Sequence, residues 1–418
     1  MTPMQIITIY LGLFVLDFLI DWFLDILNIN ASLKNRELVP ENFSGAIDAK
    51  TYERSVAYTQ RKGRFGLWMS LQGRILVIVV LFTGAGGALD ILISSLGLPA
   101  YWHGLLFLTS ASLFLGLAGL PSSLYSKFII EEEFGFNSMT PKTFFSDMAK
   151  QIPIGFVILM ALIGGLYTAL AWSGRWWWLA AWGFWMAFQL LMVVLYPTLI
   201  APIFNKFTPL ADGSLKDRLI ALAGRCSFPN SGIYVMDGSR RSRHSNAYFT
   251  GLGRFRRIVI FDTLIESLEE DELEAVLAHE IGHWKHAHIR KRIAVSFLTS
   301  LGLFAVVGAA LEWTPLYQAF GFAVPSLHVL LFWMTFFASP LTALFTPLGN
   351  IWSRKHEYQA DRYALSATEG SDAMSRALLN LGRDNLSNFT PHPAYSFWHY
   401  SHPALSERLT ALKRSADG

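Results

Sequence analysis

The chain has 418 residues, of which 52% are hydrophobic and only 16% charged, with 14 Trp and 32 Phe. A soluble domain carries about 25% charged residues, so an ordinary water-soluble fold is excluded and a chain built for lipid is indicated. The net charge of +3 gives no sign of nucleic acid, and the single Cys226 excludes an internal disulfide and a cysteine-based metal cluster.

Seven apolar runs follow along the chain, at 4–27, 71–96, 104–124, 152–173, 176–199, 293–312 and 327–348. Each is long enough for a bilayer-spanning helix, which takes about 20 residues. The first lacks a basic leading segment and an A-x-A cleavage site, so it is expected to be retained. It carries Asp17, Asp21 and Asp25 on one helical stripe. Charges within a membrane usually mark function or a water-filled face. The second and seventh runs contain breakers, Gly84-Ala85-Gly86-Gly87 and Pro340, and only Ser173-Gly174-Arg175 separates the fourth from the fifth, as a tight hairpin would. Basic residues concentrate at 29–65 (Lys34, Arg36, Lys50, Arg54, Arg61, Lys62, Arg64) and after the third run (Lys127, Lys142, Lys150), whereas 97–103 and 313–326 have none. That asymmetry predicts an external N-terminus, with the C-terminus and the polar segment 201–290 on the cytoplasmic side. Residues 1–200 then form a membrane domain of five spans. Residues 201–418 form a second domain that includes the spans near 293–312 and 327–348.

Within the second domain, "GIYVMDGS" (232–239) alternates like a strand, and "NAYFTG" (246–251) with "RRIVIF" (256–261) reads as a hairpin. From Glu270 the spacing turns helical, with acidic residues in the first turn and basic ones at the end, as the helix dipole favours. This helix carries "HEIGH". His279 and His283 lie four apart and so share one face, a spacing that lets two imidazoles hold one ion. Glu280, about 100° round, is placed to serve as general base toward a metal-activated water. His286 lies almost on the same face, but three ligands in one row cannot close a tetrahedron. A better third ligand is Glu357 in "RKHEYQADRYAL" (354–365), with Asp361 one turn on to fix a histidine tautomer. Taken alone, that stretch reads as a charged helix surface with Lys355 and Arg362 as partners.

Six stretches together resemble the type I CAAX prenyl endopeptidases, integral-membrane zinc metalloproteases of the gluzincin class. They are "FIIEEEFGFNSMTP" (128–141), "LYPTLIAPIFNKFTPL" (195–210), "RSRHSNAYFTG" (241–251), "HEIGHWKHAH" (279–288), "HEYQADRYA" (356–364) and "SHPALSERL" (401–409). The resemblance implies a multi-pass α-helical membrane protein. Seven transmembrane helices would surround an intramembrane chamber, with a zincin-like α+β metalloprotease domain on the cytoplasmic side. It implies one zinc per chain on His279, His283 and Glu357, with Glu280 as catalytic base and Asp361 behind the ligands. It also implies Asn246, Ala247 and Tyr248 along a substrate-binding strand edge, and His402 and Arg408 as a catalytic pair near the reacting carbonyl. The implied activity is hydrolysis near the C-terminus of apolar or lipid-anchored, CAAX-like peptides or membrane proteins. His286 stands where the family more often has an apolar residue, and His288 matches without an assignable role. The end at "KRSADG" suggests a bacterial relative in an inner membrane. The rival reading is a seven-span transporter or channel with a structural metal site, supported by the Asp17, Asp21 and Asp25 stripe.

Overall fold

Backbone polar groups inside a bilayer must be satisfied within their own segment, and the apolar runs meet that demand as helices. The computed structural model describes residues 1–229, 232–250, 257–368 and 371–416. Among them, five helical stretches are long and apolar enough to cross a membrane: Pro3–Lys34, Ala49–Phe82, Ala100–Glu133, Pro141–Phe204 and His288–Ala310. A bent pair, Leu327–Ala343 with Thr346–Ala367, turns through 67° and adds a sixth if counted as one span.

The first helix, α1 (Pro3–Lys34), starts at a capping box between Thr2 and Gln5, with Pro3 in its first turn. The second, α2 (Ala49–Phe82), begins far ahead of its apolar run, so much of the basic stretch predicted as a loop is helix. Asp48 caps it, and Tyr52 and Val56 pack with Phe43, Ile47 and Phe389. That packing buries one face of the first turns of the extension, at Tyr52, Ser55, Val56 and Tyr58. At its far end Gly84, left-handed at φ 76°, breaks the second apolar run into the end of α2 and a short α3 (Ala85–Ser94). Next come α4 (Ala100–Tyr125), α5 (Pro141–Ser173) and α6 (Trp177–Leu195). A turn at Gly174–Trp176 divides Pro141–Phe204 into the last two, which pack on each other.

A four-stranded sheet follows, made of β1 (Phe207–Pro209), β2 (Ile233–Met236), β3 (Ala247–Thr250) and β4 (Arg257–Phe261), in the order β1-β2-β4-β3. Strand β2 runs parallel to β4, and β3 pairs antiparallel with β4 in the predicted hairpin. The connection at 251–256 lies outside the described residues. Among the described residues β3 pairs only with β4, so it is an edge. Strand β1 has no alternation to betray it and forms only by pairing with β2.

Four helices complete the frame of the site: α7 (Ser214–Arg225), α8 (Glu270–Lys285), α9 (His288–Ala310) and α10 (Leu327–Ala343). They are followed by α11 (Thr346–Ala367), α12 (Ser371–Asp384), α13 (Pro393–His399) and α14 (Leu405–Ala416). Helix α8 has its own capping box, Glu269 with Glu272, and is held by its buried Glu274 to Arg218 and Arg225 of α7. Small residues let α8 and α11 come close. A Cβ on Gly282 would stand 3.0 Å from the Cα of Ala360, so any side chain there would press the two helices apart.

The motif stretches from the membrane half bind this block from one side. Arg241 chelates Asp147 of α5 at 2.8 and 3.1 Å. His244 bonds Asn385 at 2.8 Å, lies 3.3 Å from Glu131, and stacks on Phe136. Two of the three acids in the α1 stripe, Asp17 and Asp21, have partners. Arg74 of α2 stands 2.7 Å from the buried Asp17 and 3.5 Å from Asp21, and Ser339 of α10 donates to Asp17 at 3.2 Å. An ion pair that ties three helices together gives Asp17 and Asp21 a structural role and weakens the case for a transport pathway. At the opposite ends of α4 and α10 from the protease block, Asp90 Oδ1 meets His103 Nε2 at 2.7 Å and His328 Nε2 at 2.8 Å. Those are hydrogen-bond lengths, shorter than the roughly 3.3 Å between ligands of one tetrahedral zinc.

Candidate metal centre

His279 and His283 project from one face of α8 with their Nε2 atoms 3.2 Å apart. Glu357 of α11 approaches both, its Oε2 3.5 Å from His279 Nε2 and its Oε1 3.4 Å from His283 Nε2. Zinc holds nitrogen and carboxylate oxygen at about 2.0–2.2 Å, so tetrahedral neighbours stand roughly 3.3 Å apart. All three separations match that spacing. Glu357 is 2% exposed, and its Oε2 has no hydrogen-bond partner among the described residues. A buried, unsatisfied carboxylate oxygen aimed at two imidazole nitrogens fits a metal ion better than it fits a packed core. These three residues could hold one ion between them.

Behind the site runs a charged chain. Asp361 Oδ1 lies 2.8 Å from His279 Nδ1, and Arg408 grips Asp361 with Nη2 at 2.6 Å and Nε at 2.9 Å. Asp361 is therefore held well below the usual carboxylate range: burial opposes ionisation, but His279 and Arg408 outweigh it. Burial alone would likewise raise Glu357, yet the neighbouring histidines, His279 foremost, hold it at about 2. Burial pulls His279 down, while its bond to Asp361 and the nearby Glu357 carboxylate push it up to about 9. Burial, reinforced by the positive His279, drives His283 down to about 3. The two carboxylates thus favour positive charge at this point, whether a proton or a metal brings it.

A measurable consequence follows for metal loading. A ligand must be deprotonated to bind, so an ion held by His279 would have to displace the proton that this ring carries below about pH 9. Zinc affinity should rise about tenfold per pH unit between pH 6 and 8, with about one proton released per ion at pH 7. Calorimetry in buffers of different ionisation enthalpy checks this, and a pH-independent affinity would contradict it.

The remaining predicted residues fall into two groups. Glu280 is beside the site, its carboxyl group without a hydrogen-bond partner among the described residues, and burial above all pushes its carboxyl up. His402 is 65% exposed and its Nε2 is 3.5 Å from Glu357 Oε1, so it faces the site from the open side. Two nitrogens of Arg408 are committed to Asp361, which makes it a support of His279. Asn246 leads into the edge strand. Its backbone carbonyl accepts from Phe261 at 3.0 Å and its own side-chain oxygen from the Ala247 amide at 2.8 Å. Ala247 and Phe249 pack into the core that holds Ala278 and Ile281 of α8, while Tyr248, on the alternate face, has its ring 6.2 Å from Phe261. His286 caps α8 and stacks against His288, outside the three-donor group. A cavity of about 560 Å³ opens beside His402 and Arg408, bordered by Ser245, Asn385 and His399.

Membrane-crossing helices joined to a His-x-x-x-His helix and a glutamate helix define a membrane-embedded metalloprotease of the zincin kind. The sequence matches the family models for the CAAX prenyl protease N-terminal region, five membrane helices, over residues 28–206, and for peptidase family M48 over 209–416. It is 34% identical to the human CAAX prenyl protease 1 homolog over 90% of this chain and 88% of that protein. It is 35% identical to CAAX prenyl protease 1 of Saccharomyces cerevisiae, again over 90% and 88%. The crystal structure of S. mikatae Ste24p superposes with a TM-score of 0.89 at 32% identity, covering 97% of this chain and 98% of that one. The chain belongs to the M48 family of CAAX prenyl protease-type enzymes and is a membrane zinc metalloprotease.

Proposed function

We propose that His279, His283 and Glu357 hold one zinc per chain, and that the enzyme cuts near the C-terminus of apolar or lipid-anchored peptides of the CAAX type. The observation that carries the site is the set of three donors at 3.2–3.5 Å around an unsatisfied Glu357 oxygen. The substrate class is carried over from relatives named CAAX prenyl proteases. Zinc, when held there, supplies a Lewis acid that lowers the pKa of a water and polarises the scissile carbonyl. Glu280 takes the proton from the attacking water and passes it to the leaving amine, a role suited to a carboxyl group with no competing partner. His402, exposed on the open side, donates to the carbonyl oxygen as it gains charge. Arg408 and Asp361 keep His279 in one tautomer.

The peptide would add to the free edge of β3, pairing backbone to backbone at Ala247 and Tyr248 and needing few particular side chains. Asn246 would then anchor it in ground and transition states alike. His402→Ala should accordingly lower kcat by roughly 100-fold or more, the scale for losing one oxyanion donor, whereas Asn246→Ala should chiefly raise KM. Steady-state kinetics on an anchored peptide separate the two, and a His402→Ala kcat within a few-fold of wild type would exclude the transition-state role.

The wider frame of this reading is seven spans around a chamber, with 1–200 as the membrane domain, 201–418 as the peptidase domain and a bacterial inner membrane as the setting. The turn at Gly174–Trp176 supports counting Pro141–Phe204 as two spans. The charge asymmetry of the loops supports a cytoplasmic catalytic side. A reporter fused after Gly418 should read cytoplasmic, and one inserted at the exposed Val324 should read external. The reverse pair would overturn this orientation.

A further inference from the structure

We propose that His288 sets the tautomer of His283, and that Gln359 directs His288 in turn, so that His283 presents a bare Nε2 to the metal. The inference rests on the reading of His283 as a zinc ligand. His288 Nε2 lies 2.9 Å from Gln359 Oε1. An amide oxygen can only accept, so this imidazole nitrogen carries the proton. In a neutral ring the other nitrogen is then an acceptor. His288 Nδ1 is 2.9 Å from His283 Nδ1, so the shared proton belongs to His283, which donates it. With its proton on Nδ1, His283 has a lone pair on Nε2, the atom 3.2 Å from His279 Nε2 and 3.4 Å from Glu357 Oε1. Reversing the amide of Gln359 would reverse every bond in this chain and turn an N–H toward the metal.

The backbone is shaped for this contact. On a continuous helix residue 288 would lie about 140° round from residue 283. Ala287 instead adopts φ 55° and ψ 32°, a left-handed conformation rare outside glycine that costs on the order of 1 kcal/mol. That one residue turns the chain at the α8–α9 junction and returns His288 to His283. The His288 ring is 1% exposed and stacks on His356 at 3.8 Å and 13°, with Trp352 against His356, so its plane is fixed. The two histidines are thus supported in different ways. His279 leans on the charged pair Asp361–Arg408, and His283 on the neutral pair His288–Gln359.

A packing role would need only the ring, whereas a positioning role needs the acceptor nitrogen. Zinc affinity is measured by chelator competition on the purified full-length protein, with melting of the metal-free form as a folding control. His288→Phe should weaken zinc by about 10- to 100-fold, the usual effect of losing an outer-shell partner. His288→Asn, whose side-chain oxygen falls near the lost Nδ1, should recover most of that loss. Independently of the His288 ring, Gln359→Leu should weaken zinc while Gln359→Glu, which keeps an acceptor oxygen, should not. His288→Phe with wild-type affinity, His288→Asn as weak as His288→Phe, or equal affinities for the two Gln359 variants would each overturn the proposal. His283→Ala tells the two levels apart. Zinc retained there refutes the ligand reading itself, whereas zinc lost there but kept in His288→Phe refutes only the role of His288.

Discussion

Glu280→Gln should leave zinc bound and the fold intact while lowering peptide cleavage by about 10²- to 10⁴-fold, the contribution of a general base. Glutamine keeps the shape of the side chain but cannot take a proton from water. Because the Glu280 carboxyl group has no hydrogen-bond partner among the described residues, the substitution should leave no buried partner orphaned. Removing a carboxyl that burial already disfavours should hold the melting temperature level or raise it slightly. The pH profile gives a second reading. Glu280 must be ionised to act, and burial raises its pKa, so activity should fall on the acid side from above the ordinary carboxylate range. The Gln variant should lose the limb. Zinc loss from this variant, or turnover near wild type, would remove Glu280 from its role.

The parts of this structure legible in the sequence are those that depend on local pattern. Each of the seven apolar runs lies largely in helix because twenty apolar residues have no other low-energy state in a bilayer. The hairpin of β3 and β4 is written in alternation, and the ligand helix in the spacing of His279 and His283. Where partners are distant, local pattern fails. The polar start of α2 is helical because Tyr52 and Val56 meet Phe389, more than three hundred residues away. Strand β1 exists only through β2. Arg408 is bound to Asp361, a pairing across 47 positions that no spacing rule encodes, and through it Arg408 supports His279. The role of His288 is not legible in the sequence for a different reason. Its contact with His283 depends on the left-handed turn at Ala287, and nothing in "WKHAHIR" demands a non-glycine residue there.

Glu357→Ala should cost more than about 100-fold in zinc affinity, beyond what outer-shell partners contribute, because it removes one of three donors together with its charge. The helix pair should survive the change. Gly282 against Ala360 fixes how closely α8 and α11 approach, and that contact does not involve the Glu357 side chain. Loss of metal would then not be loss of fold, and a melting curve of the metal-free protein should confirm it. Electrostatics supplies a further signature. With only Asp361 left beside it, His279 loses one of the two carboxylates that hold its pKa near 9. The residual zinc binding should therefore release fewer protons at pH 7 and depend less steeply on pH than in the wild type. Glu357→Gln keeps the volume and one oxygen but not the charge, and should fall between wild type and Glu357→Ala. Were the 354–365 stretch an ordinary charged surface, neither change would touch the metal, and Lys355→Ala would behave like Glu357→Ala. Unchanged zinc affinity in Glu357→Ala would therefore remove Glu357 from the metal site and return the third ligand to open question.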